Sequence, residues 1–457
     1  MWHRQYAPIL GLIIVVFGIS TYANSVILFK DNPRNLRYFP PFREGVSANA
    51  NLHLGGEYHQ IARSIVAGEG FSDPFRQKTG PTAWMPPVYP FLLSLLFKVF
   101  GTSLRSRFPI AICILLIKNS VLVGTGVLCY EMAKRARSAI PAGWVFLSYG
   151  MFLSCYFFWA FQFTHDCWML LLVMDMILAL ALRMQSKANH SRGSVAAWGL
   201  LGGFAALSSP VLGLTWFAAG AHGAASRRQV RPFLLALVMA AALVLPWTVR
   251  NYVVFHKFVP VKSNLFYDLY NTSYESEDGL FDHVFALRHL ACSGDPDGSS
   301  HPFGGRSEQA FMDDYKKKFI EALRSRPRKF LQAVSNRALA ALVVYHPYNE
   351  FEGFLLGKRV IHFLPLIGLL LVTFSGARRR SHVVTLVAVT YVTYLAPYVL
   401  VTYYDRYGVA LLAGKALLVF WCADAVVAGI ARSRQAQREQ QGDVASEPTQ
   451  ERRTCAP

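Results

Sequence analysis

Long apolar stretches recur along the chain, and most of them approach the length of a membrane-spanning helix. Such a helix needs ~20 mostly apolar residues to cross the ~30 Å hydrocarbon core of a bilayer. Residues 194–224 are long enough for two short helices, which we expect to be broken at Ser208-Ser209-Pro210. The pattern predicts an all-α polytopic membrane protein with about 10–12 transmembrane helices; two weaker stretches, 88–100 and 330–345, decide the exact number. The strongest stretches are 8–29, 108–130, 139–163, 167–185, 232–254, 360–376, 382–400 and 408–430.

The positions of Lys and Arg predict the orientation of these helices. The short connections 134–137, 183–192, 227–231 and 378–380 hold twelve basic residues and no acidic one. The long polar segment 255–329 carries eleven of each. Because loops rich in Lys and Arg stay in the cytoplasm, we place the four connections and both termini inside and the balanced segment outside. This path requires the two weaker stretches to be re-entrant or to lie on the membrane surface.

Composition agrees with a membrane protein and argues against a nucleic-acid-binding protein. Hydrophobic residues make up 53% of the 457 residues and charged residues only 16%, against ~25% charged in a soluble domain. A net charge of +19 could suggest a nucleic-acid partner. We exclude that partner because the basic residues sit between apolar segments, and we expect membrane lipids to be the surroundings of the chain.

The same pattern divides the chain into one large module and a tail. Residues 1–430 form the transmembrane module, with a first outer loop at 30–107 and a second outer segment at 255–352. The tail 431–457 is rich in Gln, Glu and Arg without an apolar period, and we predict it to be disordered. We interpret the stretch 8–29 as an uncleaved first helix, with a cleaved secretory signal as the alternative.

Two charges fall inside the predicted membrane helices. Lys118 lies ten residues in from Phe108 and Asp175 ten residues in from His165, which is ~15 Å deep at ~1.5 Å per residue. Charges at that depth are costly and are usually paired or functional. We therefore predict a structural ion pair between these two side chains.

Polar residues collect at the outer ends of the helices. The alternative interpretation of this set is an interfacial belt, since Trp, Tyr and Arg commonly anchor helices there. The set consists of Glu57, the turns 164–166 (Thr-His-Asp) and 208–210 (Ser-Ser-Pro), the helix end 246–251 (PWTVRN) and the turn 403–407 (YYDRY).

The first outer loop has the clearest local pattern. Residues 57–67 place apolar side chains on one helical face between flanking glycines, which predicts a short amphipathic helix on the membrane surface. Glu57 lies in its first turn, where the helix dipole favours the ionised carboxylate and makes it a weaker base. Three prolines within residues 86–90 then exclude a continuous helix and predict a rigid connector into 91–100. A helix is also predicted at 307–325.

These motifs resemble the GT-C glycosyltransferases, specifically the protein O-mannosyltransferase-like branch (glycosyltransferase family 39), which is similar to the lipid A aminoarabinose transferases. The resemblance runs from the first helix to about residue 430 and depends on four motifs in order. They are EYHQIARSIVAGEGFS (57–72), GPTAWMPPVYPFLLSLLFKVFG (80–101), PWTVRNY (246–252) and YYDRY (403–407).

The resemblance implies a GT-C-like helical bundle with helices in its outer loops. It implies transfer of a sugar, a mannose-like hexose or a pentose, from a polyprenyl-phosphate carrier to a lipid, glycan or protein acceptor. The reaction would take place on the periplasmic or outer face of a bacterial inner membrane, with inversion. The family usually has an Asp in the first outer loop, commonly followed by a second acid. Here the loop reads Gly55-Gly56-Glu57, which weakens the case for a metal held by paired carboxylates.

The same resemblance gives each candidate residue a role. Glu57 is the candidate base that deprotonates the acceptor. No metal-ligand set is predicted and no cofactor is established from the sequence, and a divalent cation stays open. Arg suits a phosphate because its planar fork donates two hydrogen bonds at once. The donor phosphate candidates are Arg250, Arg406, Lys262 and His165, and the residues expected to support the acceptor and the loop are Tyr58, Trp84, Pro86, Pro87, Tyr89, Asp166 and Asp405.

Two other functions remain open from the sequence. A transporter or flippase of lipid-linked sugar would often show an internal repeat and broken helices near the midplane, but we find no repeat and the polar residues gather at the outer boundary. A non-catalytic relative that binds lipid-linked sugar is the third hypothesis, because of the Gly-Gly-Glu departure.

Overall fold

The computed structural model describes most of the chain as α-helix. The helices given below, the 3₁₀-helices Ala142–Trp144 and Asp405–Leu411 and the π-helical turn Asn271–Glu275 all lie in the described ranges. The described residues are 2–29, 54–75, 77–103, 107–136, 138–161, 165–185, 191–227, 229–281, 302–346, 354–374 and 381–445.

In these ranges, extended backbone pairs only at the isolated antiparallel bridge Ser72–Pro81. We label the α-helices in chain order. They are α1 (Trp2–Phe29), α2 (Gly56–Val66), α3 (Val88–Phe100), α4 (Arg107–Arg135), α5 (Val145–Cys155), α6 (Phe157–Phe161), α7 (Cys167–Gln185), α8 (Arg192–Ser208), α9 (Pro210–Arg227), α10 (Val230–Phe255), α11 (Leu265–Tyr270), α12 (Glu308–Ser325), α13 (Pro327–Leu342), α14 (Leu355–Phe374), α15 (His382–Leu400) and α16 (Leu412–Ala445).

The prediction of an all-α membrane protein is confirmed. Six of the described helices are long and apolar enough to cross a membrane: Pro109–Arg135, Cys167–Met184, Val230–Phe255, Leu355–Phe374, His382–Leu400 and Asp405–Gln435. The predicted break in 194–224 is also present, because α8 ends at Ser208 and α9 starts at Pro210. Proline suits the first position of a helix, since the N–H that it lacks would have no helical partner there.

The two weaker stretches form helices that are too short to span. Helix α3 has 13 residues and α13 has 16, which correspond to ~20 Å and ~24 Å at ~1.5 Å per residue. Helix α3 buries Tyr89, Leu93 and Phe97 and exposes Leu95 and Val99 on the other face. This one-sided burial is what a helix at a membrane surface requires.

The stretch 139–163 is not the single helix that we predicted. It contains a 3₁₀ turn, then α5 and α6 on either side of Tyr156, whose backbone leaves the helical region at φ −99° and ψ 30°. The break positions the buried Tyr156 hydroxyl to accept a hydrogen bond from Lys415 and to contact His362 Nδ1 at 3.1 Å. His362 Nε2 lies 2.9 Å from the carbonyl of Ala340. This buried chain of partners compensates the polar groups that the break brings into the bundle.

The tail requires a second correction. Helix α16 continues to Ala445, so the first part of the predicted disordered tail 431–457 is helical. Arg, Gln, Glu and Ala are good helix formers, and here they extend a helix that the apolar part has already nucleated. Residues 446–457 lie outside the described residues.

The predicted pair between Lys118 and Asp175 is also wrong. Lys118 Nζ donates to the carbonyl of Trp159 at 2.9 Å, and the Asp175 carboxylate accepts from the Thr125 hydroxyl at 2.5 Å. The ion pairs formed among the described residues do not include one between these two side chains. Each polar group therefore has a nearer partner on a neighbouring helix.

The helix ends fall into two groups, those at the polar turns and those that carry basic residues. Helices α7 and α9 each start near a turn of the polar set identified in the sequence, at Asp166 and Ser209. Both run to a basic end, at Arg183 and Arg227. At ~1.5 Å per residue these ends are ~25–28 Å apart. Arg183 and Arg227 therefore lie at the opposite end of the bundle from Asp166 and Ser209.

Candidate functional site

A cavity of about 500 Å³ lies at the polar end of the bundle. Its walls come from the starts of α2, α7 and α9, the end of α15, the 3₁₀-helix that precedes α16, and the segment that leads into α11. Its charged and strongly polar lining residues are Glu57, Tyr58, His165, Asp166, Lys262, Asp268, Tyr404 and Arg406. Seven of the twelve residues that the sequence singled out therefore face one space: Glu57, Tyr58, Pro86, His165, Asp166, Lys262 and Arg406.

Helix α2 presents Glu57 to this cavity. Tyr58, Ile61 and Ala62 are buried on its inner face, which fixes the rotation of the helix. Gly55 precedes it at a φ of +87°, a backbone conformation that residues with a Cβ rarely adopt. Glu57 consequently occupies the first turn of α2, at the cavity wall.

The surroundings of Glu57 raise the pKa of its carboxyl group, whereas its position in the first turn of α2 alone would lower that pKa. Burial raises the pKa of the Glu57 carboxyl above its usual value, and Asp268 raises it further. A hydrogen bond to its own backbone, Arg406 and Lys262 act in the opposite direction on that pKa. The sequence predicted only the effect of the helix dipole, which lowers the pKa of a carboxyl group in the first turn.

Arg406 and Asp166 form an ion pair inside the cavity. Arg406 Nη1 lies 3.6 Å from Asp166 Oδ1, with both side chains almost fully buried. The Tyr58 hydroxyl donates to Asp166 Oδ2 at 2.8 Å, so α2, α7 and the 405–411 turn meet at this carboxylate. The guanidinium also lies over the rings of Tyr404 and Tyr407, at 4.9 and 5.6 Å. Among the described residues, its buried Nε has no hydrogen-bond partner, so it has donors available for an anion.

A second ion pair, between Lys262 and Asp268, lies in the wall of the same cavity, with 3.6 Å between Nζ and Oδ2. Burial raises the pKa of the Asp268 carboxyl, and Lys262 opposes that rise. We did not single out Asp268 from the sequence. It is one of eleven acidic residues in the segment 255–329, and only its position in α11, next to the cavity, separates it from the others.

Arg250 lies away from the cavity, which corrects its assignment as a phosphate ligand. Its Nη1 donates to the carbonyl of Thr82 at 2.7 Å, and its Nη2 donates to the carbonyl of Phe71 at 2.9 Å. The guanidinium also lies 5.1 Å from the Trp247 ring. Arg250 therefore holds the first outer loop onto the end of α10, and the carbonyls occupy the donors that a phosphate would need.

Glu308 is a further anchor of this loop that the sequence did not reveal. Its buried carboxylate accepts hydrogen bonds from the Thr82 hydroxyl, from the Ala83 amide at 3.0 Å and from the Ser263 hydroxyl at 2.6 Å. It joins the start of α12 to the first outer loop and to the segment that carries Lys262. Burial raises the pKa of the Glu308 carboxyl, and the hydrogen bonds from these partners lower it.

The remaining predicted residues lie behind the cavity. Trp84 is fully buried, with its ring centroid 5.1 Å from those of Phe75 and Tyr267. Pro87 caps the start of α3. The Tyr89 ring packs edge-on against Tyr58 with 5.0 Å between centroids.

Asp405 is also outside the cavity lining. Its buried carboxylate accepts from the Tyr345 hydroxyl at 3.1 Å. Among the described residues, no group of three or more His, Cys, Asp or Glu side chains is placed to hold a metal ion. The divalent cation that the sequence left open stays a prediction.

One wall of the cavity is apolar and reaches the outside of the bundle. Val211 and Leu214 of α9 face Pro397 and Val401 at the end of α15. Leu214 is 47% exposed on the bundle surface. This wall offers apolar side chains from both helices to whatever occupies the cavity.

Comparison with known proteins gives likeness only among solved structures. No protein-family model matches the chain, and no curated protein sequence matches it. The archaeal oligosaccharyltransferase AglB from Archaeoglobus fulgidus, solved with an inhibitory peptide and a dolichol-phosphate, is similar at 15% identity and a TM-score of 0.49. That match covers 96% of this chain and 52% of AglB, so the chain spans about half the length of that protein.

ArnT from Cupriavidus metallidurans, solved with undecaprenyl phosphate bound, is similar at 18% identity and a TM-score of 0.35, over 81% of this chain and 75% of ArnT. Its apo structure is similar at 17% identity and a TM-score of 0.29, over 82% and 74%. At these identities the likeness concerns the fold alone.

The close fit at Gly55 gives a test of how α2 is positioned. A Cβ at Gly55 would lie 2.7 Å from Tyr58 Cδ2 and 3.1 Å from His165 Cδ2, whereas a Cβ at Gly68, which has a similar φ of +83°, would meet nothing within 4 Å. Both Gly→Ala changes also carry a backbone penalty, because each glycine has a positive φ. We expect Gly55→Ala to lower the thermal unfolding midpoint in detergent more than Gly68→Ala does. Equal losses in the two variants would contradict the contact of α2 with His165.

Proposed function

We propose that this protein is a glycosyltransferase that moves a sugar from a polyprenyl-phosphate carrier to an acceptor hydroxyl on the outer face of the membrane. The sugar is a mannose-like hexose or a pentose, and the acceptor is a lipid, a glycan or a protein. The membrane is the inner (plasma) membrane of a bacterium. The GT-C resemblance of the sequence motifs supports this donor class, and the cavity supports the chemistry.

The observation that carries the proposal is that Glu57 and Arg406 share one cavity with an apolar wall. The Nε of Arg406 makes no hydrogen bond within the described part of the chain, and a guanidinium at this position fits an anionic phosphate. The apolar wall between α9 and α15 fits a polyprenyl chain. Glu57 supplies a carboxylate with no ion-pair partner of its own among the described residues, which fits a base.

The reaction that this arrangement supports is a single displacement. Glu57 takes the proton of the acceptor hydroxyl as the acceptor oxygen attacks the anomeric carbon of the sugar. The bond between that carbon and the phosphate oxygen breaks, and its electron pair stays on the phosphate. The leaving group needs no proton, because Arg406 and Lys262 stabilise its negative charge. Preorganised charges of this kind supply a large part of enzymatic rate enhancement.

The other two carboxylates of the cavity are poor candidates for a nucleophile. Retention through a covalent intermediate would require a second carboxylate beside the anomeric carbon. Asp166 is held by Arg406 and Tyr58, and Asp268 is paired with Lys262. We therefore expect inversion at the anomeric carbon, which analysis of the product can establish.

Replacement of Glu57 tests the role of the base. We expect Glu57→Gln to reduce sugar transfer from a radiolabelled polyprenyl-phosphate sugar by about 10²–10⁴-fold, the usual contribution of a general base. Carrier binding should be retained, because the amide keeps the size of the side chain and Arg406 is untouched. The matched control is Glu69→Gln, which removes a carboxylate from the same loop that is 42% exposed and paired with Lys78. The control should keep full activity.

The outcomes of this assay separate the competing functions. Full transfer by Glu57→Gln would remove Glu57 as the base. Movement of the carrier across vesicles without any transfer by the wild-type protein would show a flippase and contradict the transferase. Carrier binding with neither activity would indicate a non-catalytic relative.

The environment of Glu57 also predicts a pH dependence. Only the deprotonated carboxylate can accept the proton, so transfer should rise as the pH increases through the pKa of Glu57. Because burial raises that pKa above the ordinary 4.5, the acid limb of kcat/KM should lie at higher pH than for an exposed glutamate. An acid limb at or below the ordinary value would contradict the buried placement of Glu57.

A further inference from the structure

The ion pair between Lys262 and Asp268 is built into the cavity wall. Ser263, next to Lys262, is fixed by its amide, which donates to the carbonyl of Ala83 at 2.8 Å, and by its hydroxyl, which donates to Glu308. The Asp268 amide donates to the carbonyl of Asn264 at 3.0 Å. Both backbones are therefore anchored while the two charged side chains lie at the cavity, 29% and 16% exposed.

The two partners of this pair act on Glu57 in opposite senses. A nearby carboxylate disfavours the ionised form of another carboxyl group, and a nearby cation favours it. Asp268 accordingly raises the pKa of Glu57 and Lys262 lowers it, beside the larger effect of burial and the lowering effect of Arg406. Asp166 and His165 are the other titratable groups that line this part of the cavity beside the tyrosines. While the pair is closed, its two effects on Glu57 oppose each other.

We propose that the Lys262–Asp268 pair is a donor-operated switch: the donor phosphate draws Lys262 away from Asp268 and leaves the Asp268 carboxylate in the same cavity as Glu57 without its cation. Asp268 is in this view a positioning residue that acts through Glu57 and does not touch the acceptor. The identity of the ligand rests on the proposed function, whereas the opposing effects of the pair on Glu57 do not.

The chemistry of Lys262 and Asp268 favours the movement of the Lys262 ammonium from Asp268 to the phosphate. The Lys ammonium is a point charge on a flexible four-carbon stem with three donors, so it can turn from one anion to another without backbone movement. An ion pair with partial solvent access is weak, and its 3.6 Å separation is longer than a well-formed charge-assisted hydrogen bond of ~2.7–2.9 Å. A phosphate held by Arg406 in the same cavity would present oxygens that compete for Lys262.

The switch would couple binding to chemistry. Without donor, Lys262 helps to keep Glu57 a weak base. With donor, the charge that suppresses the base is engaged by the phosphate, and Asp268 raises the basicity of Glu57 at the time when the acceptor must lose its proton. Basicity near the working pH is what general base catalysis requires.

The test measures the protonation of Glu57 directly instead of through activity. A hydrophobic carbodiimide labels protonated carboxyl groups, and peptide mass spectrometry of the full-length protein in detergent quantifies the label on Glu57 against pH. We expect the pH at which labelling falls to move down in Asp268→Asn and up in Lys262→Gln, with the double variant near the wild type. The matched control is the Lys257–Asp313 pair, which is half-exposed outside the cavity. Lys257→Gln and Asp313→Asn should leave the Glu57 midpoint unchanged.

The ligand arm uses farnesyl phosphate as the probe. In the wild type it should move the Glu57 midpoint to higher pH, and the movement should be smaller in Asp268→Asn. Unchanged midpoints in the two ligand-free variants, or shifts in the same direction, would overturn the inference. An equal ligand-induced shift with and without Asp268 would also overturn it, because the phosphate charge alone would then explain the effect. Absence of sugar transfer alongside the expected midpoint shifts would instead count against the proposed function alone.

Discussion

The arrangement of the polar end of this bundle depends on the compensation of one buried cation, Arg406. Removing one partner of a buried ion pair costs about 3–5 kcal/mol, so the pairing of Arg406 with Asp166 fixes the 405–411 turn against the start of α7. Tyr58 uses the second oxygen of the same carboxylate, and this bond holds α2 of the first outer loop over the bundle. Because α2 is fixed there, Glu57 faces the cavity. Asp166 therefore acts as a structural counter-ion, and Glu57 is the carboxylate that we propose as the base.

A second set of buried side chains holds the outer loops in place around the Arg406–Asp166 pair. Arg250 and Glu308 bind the two sides of the first outer loop, through the carbonyls of Phe71 and Thr82 and through the Thr82 hydroxyl and Ala83 amide. Arg337 does the same for the end of α15, donating to the carbonyls of Val399, Leu400 and Gly279. These buried groups are satisfied by backbone carbonyls or amides that helices and strands would otherwise pair. The loops can therefore be irregular and still rigid enough to present charges at fixed positions.

The sequence predicted the structural features that depend on a local pattern of apolar and polar residues. Apolar stretches gave the helices, the Ser-Ser-Pro break and α2, and the motifs collected Glu57, His165, Asp166 and Arg406 at one end of the bundle. It could not separate Arg250 from Arg406, because both are arginines at helix ends next to aromatic residues, and only the three-dimensional structure shows that backbone carbonyls occupy the first. Asp268 and Glu308 were missed for the converse reason: their segment has many acids without a period, and Thr82 and Ala83, which bind Glu308, lie far away in the chain. The ion pair expected between Lys118 and Asp175 failed because depth alone does not tell which neighbour is nearer.

The central claim is that Arg406 and the apolar wall between α9 and α15 receive a polyprenyl phosphate beside Glu57. A cryo-electron microscopy structure of the protein with a bound polyprenyl phosphate would test it most directly. We expect a phosphate within hydrogen-bonding distance of the Arg406 guanidinium, with the polyprenyl chain leaving between α9 and α15 past Leu214. A phosphate bound at Arg250, or at the basic end of the bundle near Arg227, would contradict it.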